Sequence, residues 1–427
     1  MNGLRFPQDI LVHIASFFET ERGLITATGV CQPWRAALLS YPLLWRNAGG
    51  TSSEIEAYIE RSKSNPLEVS LSDPSLVDLI VPHMPRLVSL TVLLKEASGI
   101  DISYFIERLC HPIPTLHTFR ISPATATHHP TYGLEVSPDL NCPLFLHSKT
   151  LELNGLSFFF GPFSHITELV WHTTQFTSLG DFGGTLEGFP ALERARITLY
   201  SGDLDENGNN FFWYTLPHLR ELSLSMFSRG ESTPQGGLLT GILGHLLLPR
   251  IEKLSVPLLP WPCESTNPEF LFHRFCPNFA LLPELQVDLE LCEITFRNPS
   301  GATLKCRTGD LRGPVDNLDW GDLPLFYVRR LTVNNIRRPG RLRFEDTWLS
   351  GLLGKIGSLE HVELEGECND VIEWLCGQVV RFKIQTLTIR CGELDEHQAY
   401  WLKCLEDGTN LVTTVICIPG STPNVRK

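Results

Sequence analysis

Cys31 and Arg35 stand one helical turn apart in "CQPWR". A cysteine reacts as its thiolate, which a cationic and partly exposed setting favours. The neighbours in 24–45 are mostly apolar and include no histidine, so Cys31 is expected to pack rather than react. Calcium chemistry is suggested by "DLDENGNNFFWY" (203–214), where Asp203, Asp205, Asn207 and Gly208 match the opening of a calcium loop. The twelfth position calls for a bidentate Glu and holds Tyr214, so the stretch reads as a polar loop. "GLLGKIG" (351–357) brings Gly354 beside Lys355, but Ile356 stands where a phosphate loop needs Ser or Thr, and Leu349 where it needs glycine. His128-His129 has no third ligand at metal spacing. No acid, base, nucleophile or metal set converges. The expectation is no catalytic residue, no metal and no cofactor.

Composition narrows the partners. The chain has 427 residues, 42% hydrophobic and 19% charged, enough to bury a large core. The net charge of −13 disfavours a nucleic-acid grip, which needs clustered Lys and Arg, and disfavours an anionic membrane surface. Twelve cysteines are scattered without a C-x-x-C. The first twenty residues lack the basic and small-residue marks of a signal peptide, and no apolar run reaches the ~20 residues of a membrane span. A soluble cytoplasmic or nuclear protein is expected.

The elements that would position a functional surface come next. "FPQDILVHIASFF" (6–18) predicts a helix, with Pro7 in its first turn and Asp9 at the positive end of its dipole. Ile10, Leu11, Ile14, Phe17 and Phe18 form an apolar stripe. A second helix is predicted over about 21–30 and a third from about Pro33 to Ser40, closed by Tyr41-Pro42. "LLWRN" makes a last turn, and Gly49-Gly50 followed by Thr51-Ser52-Ser53 reads as a link. So small a helical unit cannot enclose all of its large apolar side chains. Each is worth roughly 1.5–3 kcal/mol on burial, which favours a covering partner.

These residues carry a resemblance. Phe6-Pro7-Gln8-Asp9-Ile10-Leu11-Val12-His13-Ile14, then Val30-Cys31-Gln32-Pro33-Trp34-Arg35, then Pro42-Leu43-Leu44-Trp45, resemble an F-box in order and spacing. Phe6 replaces the usual Leu and Gln32 the usual basic residue. The resemblance covers about a tenth of the chain. It implies docking onto a Skp-type adaptor and, through it, a cullin–RING ubiquitin ligase of the SCF type. It further implies that Pro7, Ile10, Leu11, Ile14, Val30, Trp34, Leu43, Leu44 and Trp45 form the docking surface or hold it in shape.

Beyond residue 66 a pattern apolar-x-x-apolar-x-apolar recurs. It is seen in "LVSLTV" (87–92), "LHTFRI" (116–121), "LERARI" (192–197), "LRELSL" (219–224), "IEKLSV" (251–256), "VRRLTV" (328–333), "LEHVEL" (359–364) and "IQTLTI" (384–389). Weaker copies are "PLEVSL" (66–71), "KTLEL" (149–153), "ITELVW" (166–171) and "LVTTVI" (411–416). The alternation predicts strands with one buried face. A spacing of mostly about 25–34 residues points to a repeat array. The copies resemble irregular leucine-rich repeats, with helices predicted at 102–110 and 236–248. The stretch 255–327 breaks the pattern, and its Pro- and aromatic-rich part, 258–279, reads as a long loop or insertion.

The expected fold is therefore α/β: a three-helix F-box over 1–48, a linker over 49–65, and a leucine-rich-repeat-like solenoid over 66–427. The solenoid would be an arc or horseshoe with a parallel sheet on its concave face. The expected function is a non-catalytic substrate receptor that supplies proximity and orientation to a target protein. The alternative is a scaffold that binds the adaptor without promoting ubiquitylation. Outward positions of the strands are the target-binding candidates: Glu221, Ser223, Lys253, Ser255, Arg330, Thr332, His361, Glu363, Thr386, Thr388 and Arg390.

Overall fold

The computed structural model describes residues 7–18, 21–94, 108, 113–123, 148–154, 163–173, 179–201, 214–228, 246–257, 283–288, 293–307, 325–335, 352, 354, 356–366, 371–372, 375, 384–391, 396, 399–400, 403–404 and 412–417. The chain is α/β and divides into two compact units, Met1–Asp205 and Glu206–Lys427.

Unit one opens with α1 (Gln8–Ala15), α2 (Glu21–Thr28), α3 (Gln32–Leu39) and a 3-10 turn, Pro42–Trp45. Prolines sit where helices begin, at the N-cap of α1 and in the first turn of α3, where a missing N–H costs nothing. A two-residue strand β1 (Asn47–Ala48) follows, then α4 (Ser52–Ser62). The link expected over 49–65 is thus mostly helix. Thr51 and Glu54 form a reciprocal capping box. Gly50 has φ of 93°, and a Cβ there would collide with the Glu54 carboxylate that makes the cap. Ile55, Tyr58 and Ile59 of α4 are buried at helical spacing. The ring of Tyr58 meets that of Trp45 edge-on at 5.1 Å, so α4 belongs to the packing of the N-terminal helices.

The rest of unit one is β2 (Leu67–Leu71), α5 (Val77–Ile80), β3 (Leu87–Leu94), β4 (Thr118–Pro123), β5 (Thr150–Asn154), β6 (Glu168–Thr173), α6 (Leu179–Glu187) and β7 (Arg194–Ser201). Strands β1 to β7 pair in chain order and all in parallel. Val69, Leu90, Phe119, Leu151, Leu169 and Ala195 form one buried row across the sheet. Leu71, Val92, Ile121, Leu153, Trp171 and Ile197 form the next.

Unit two holds β8 (Tyr214–Thr215), β9 (Glu221–Ser228), β10 (Leu246–Leu247), β11 (Lys253–Pro257), β12 (Glu284–Asp288), β13 (Glu293–Arg297) and β14 (Thr303–Arg307). It ends with β15 (Arg330–Asn335), β16 (His361–Gly366), β17 (Thr386–Cys391) and β18 (Val412–Cys417). Strands β8 and β10 make a separate short ladder, so Leu246 and Leu247 are strand where helix was expected.

A shared turn explains why these strands stack. Two buried apolar residues three apart precede the strand, as in Phe189/Leu192, Leu216/Leu219, Leu248/Ile251 and Leu325/Val328. In each pair the second N–H donates to the carbonyl of the first. At several of these strand starts one carbonyl then accepts two N–H groups from the neighbouring strand: Arg220 from Glu252 and Lys253, Arg329 from Glu360 and His361, Glu360 from Gln385 and Thr386. Neighbouring strands therefore satisfy each other's backbone at the point where they begin.

The all-parallel expectation fails at one place. The order in unit two is β9-β11-β14-β13-β12-β15-β16-β17-β18. Strand β13 runs antiparallel to both β12 and β14, while β14 is parallel to β11 and β12 to β15. Part of 255–327 is thus a three-stranded meander built into the sheet, entered from its far side. Its β13–β14 turn is Asn298-Pro299-Ser300-Gly301, with the Asn298 side chain accepting from the Ala302 N–H and Gly301 at φ of 91°. No atom lies within 4 Å of a Cβ placed on Gly301, so Gly301→Ala carries backbone strain alone. It is expected to cost about 1 kcal/mol. Gly184→Ala, exposed within α6 and equally free of contacts, is expected to stabilise by about 0.5–1 kcal/mol. Paired chemical denaturation of the two variants checks the opposite signs.

Candidate docking surfaces

The N-terminal helices carry two apolar stripes, not one. Leu11 and Ala15 of α1 face inward, with Leu11 3% exposed. Ile10, Ile14 and Phe17, offset by one residue, face outward, and Phe17 is 69% exposed. Opposing α1, the inward side of α3 gives Ala37 and Leu38. Val30, in the turn before α3, is 66% exposed, and Leu43 in the 3-10 turn is 49% exposed.

Of the nine residues that the resemblance implicates, Pro7, Ile10, Ile14, Val30 and Leu43 are therefore exposed, and Trp34 and Leu44 are half-buried. Leu11 and Trp45 are buried. Of the two roles the resemblance leaves open, burial leaves these two the supporting one. The Trp45 indole N–H donates to the Leu38 carbonyl at 2.9 Å, and the Arg61 guanidinium lies 4.4 Å from its ring centre. Exposed large residues that the sequence list omitted are Phe17, Phe18, Leu39 and Tyr41. Phe18 stacks on Trp34 with centroids 6.4 Å apart, which holds both rings in place at the rim. Cys31 is corrected: it is exposed, and as N-cap of α3 its carbonyl accepts from the Arg35 N–H.

The second surface is the outward side of the sheet in unit two. All eleven candidate positions lie there, in two registered rows and the start of a third. Glu221, Lys253, Arg330, His361 and Thr386 share the first row, and Ser223, Ser255, Thr332, Glu363 and Thr388 share the next. Most of the charges are already paired across strands. Lys253 Nζ is 2.5 Å from Glu221, Arg330 is 3.3 Å from Glu284, and Arg390 Nε is 2.7 Å from Glu363. His361 Nδ1 lies 2.6 Å from the Thr386 hydroxyl. Exposed pairs of this kind contribute about 0.2–1 kcal/mol each, so a partner can exchange them at small cost. Unit one repeats the device with Arg120–Glu152 at 2.6 Å and Arg194–Glu168 at 3.1 Å, positions the sequence list did not include.

Two titratable groups show what burial does here. The Cys306 thiol is fully buried and pushed up to about 12 by desolvation, with the Glu293 charge adding to it, so it is inert. His172, half-buried on β6, is lowered from 6.5 by desolvation, partly offset by the Glu152 carboxylate. The unfolded chain therefore takes up this proton first as pH falls. Its effect on stability is absent well above pH 6.5 and grows unfavourable as pH drops below 6.5 towards the lowered folded value. His172→Asn is expected to flatten the loss of stability on acidification through that window. Denaturant titrations over a pH series check this; an unchanged slope contradicts it.

Among the described residues, no group of three or more His, Cys, Asp or Glu is arranged to hold a metal ion. Among the same residues, no helix is long and apolar enough to cross a membrane. The segments 203–213 and 258–279, His128-His129, the helix expected at 102–110 apart from Arg108, and residues 236–245 of the helix expected at 236–248 lie outside the described residues. No protein-family model matches the chain, and no curated protein matches it.

Proposed function

We propose that this chain is a non-catalytic substrate receptor of an SCF-type cullin–RING ubiquitin ligase. In this reading 7–45 is an F-box that docks on a Skp-type adaptor, and the strands from β2 onward are an irregular leucine-rich-repeat solenoid that binds the target protein. One observation carries the reading: the outward stripe of Ile10, Ile14 and Phe17 with Val30 and Leu43, large apolar side chains left uncovered on a unit whose inward stripe is filled. The motif order of the sequence says what kind of partner fits it. The repeated approach turn and the shared carbonyl within each unit support the solenoid. The self-paired, mixed-charge sheet face suits a protein target better than a nucleic acid. The receptor contributes position, holding target lysines near a conjugating enzyme, and no bond-making group.

Co-expression of the full chain with a tagged Skp-type adaptor tests the reading. The expected result is co-purification at equal stoichiometry, together with ubiquitylation of a co-purified target when the ligase is reconstituted. Failure to co-purify overturns the proposal. Co-purification without ubiquitylation leaves the adaptor-binding scaffold in its place.

A further inference from the structure

The antiparallel strand β13 changes the charge order on the outward face of unit two. Its outward residues are Glu293, Thr295 and Arg297. Because β13 runs backwards, Arg297 falls in the first outward row, between Thr303 of β14 and Glu284 of β12. A parallel strand would have put Glu293 in that row. The row reads Glu221, Lys253, Thr303, Arg297, Glu284 and Arg330 on six neighbouring strands. Its charges run minus, plus, neutral, plus, minus, plus. The alternation lacks one member, an anion at Thr303.

Cations surround that position. Neighbouring strands are about 4.8 Å apart, so Lys253 and Arg297 flank Thr303 at close range. Lys305, two residues further along β14 and on the same face, is a third. The nearby acids are already engaged. Glu221 lies 2.5 Å from Lys253, Glu293 lies 2.7 Å from Lys305, and Glu284 lies 3.3 Å from Arg330. Arg297 is exposed and, among the described residues, forms no ion pair. The position over Thr303 therefore carries one uncompensated positive charge.

The geometry points to a carboxylate side chain of the target protein, Asp or Glu, as the group received over Thr303 and against Arg297. This rests on the reading of the outward face as target-binding. A guanidinium offers a carboxylate two parallel N–H donors, and the half-buried Thr303 hydroxyl supplies another. One uncompensated cation matches one carboxylate. A phosphate dianion would need Lys253 or Lys305 to give up its own glutamate, so the charge balance selects the carboxylate. The net charge of −13 opposes unselective association with acidic molecules, so recognition of an acid here is local. The site also gives the meander a role, because its reversed strand is what brings Arg297 beside Thr303.

Fluorescence anisotropy of a fluorescein-labelled octaglutamate peptide tests it on the full chain, with octaglutamine as the uncharged control. The expected result is saturable binding of octaglutamate alone. Arg297→Glu is expected to weaken that binding at least about tenfold. Thr303→Glu supplies the missing carboxylate from the chain itself and is expected to abolish it, with far-UV circular dichroism unchanged. Thr388→Glu makes the same charge change on the same face five strands away. That is about 24 Å, beyond the screening length of about 10 Å in about 0.1 M salt, so wild-type binding is expected. No binding of octaglutamate, or equal binding by Arg297→Glu, overturns the inference. A preference for octaphosphoserine over octaglutamate overturns it equally. Adaptor co-purification keeps the two readings apart. Octaglutamate binding without adaptor docking supports this site and overturns the receptor role, whereas docking without octaglutamate binding overturns this site alone.

Discussion

Ile14→Asp combined with Leu43→Asp is expected to weaken binding to a Skp-type adaptor by at least about 100-fold, or about 2.7 kcal/mol. The free protein exposes both side chains, Ile14 at 39% and Leu43 at 49%, so in the absence of a partner each carboxylate is hydrated and the helices remain. On docking, each charge would be desolvated without a counter-ion, a cost that one or two central contacts can make decisive. Calorimetric titration measures the loss, and far-UV circular dichroism measures retention of the fold. Leu11→Asp is the instructive control. Leu11 points at α3 and is buried, so a charge there disrupts the helices themselves, and its loss of binding reports folding rather than contact. Unchanged affinity in the double variant would remove the outward stripe from any role in docking.

Trp45→Ala is the second large effect, an expected destabilisation of about 3–5 kcal/mol in the N-terminal helices. The indole is fully buried and does three things at once. Its N–H satisfies the Leu38 carbonyl at the end of α3, its edge meets Tyr58 of α4, and its face lies under the Arg61 guanidinium. Among the described residues the guanidinium Nη1 is buried without a hydrogen-bond partner, and the ring is a favourable contact for it. Trp45→Phe keeps part of the packing and removes the hydrogen bond, while the Leu38 carbonyl keeps the Tyr41 N–H, so the expected loss is smaller, about 0.5–1.5 kcal/mol for the hydrogen bond together with that of the smaller ring. Hydrogen exchange in α3 and α4 reads both changes locally. Exchange unaltered in Trp45→Ala would show that the ring does not join these helices.

How much of this was legible follows from which interactions are local. Every apolar-x-x-apolar-x-apolar stretch contains a strand, because alternation and the buried pair before it are both written in a few adjacent residues. Strands β12, β13 and β14 also alternate, in "ELQVD", "EITFR" and "TLKCR", and Asn298 to Gly301 is a recognisable hairpin turn. They were hidden by the repeat template: β13 and β14 are reached by a hairpin and lack the approach turn. Helix α4 was masked in the same way by Gly49-Gly50, although Thr51 and Glu54 already spelled its cap. The division of α1 into Leu11 inside and Ile10 with Ile14 outside was beyond sequence. Two adjacent columns are apolar, and only packing against α3 chooses between them. Cross-strand pairs such as Glu221–Lys253 needed a register between segments thirty residues apart, which no local pattern carries.

The most direct test of the central claim is hydrogen exchange on the full chain with and without a saturating Skp-type adaptor. The account predicts new protection confined to 8–45, strongest in α1, in the turn at Val30 and in the 3-10 turn at Leu43, with the strands of both units unchanged. Protection mapped to the strands, or none anywhere, would contradict it.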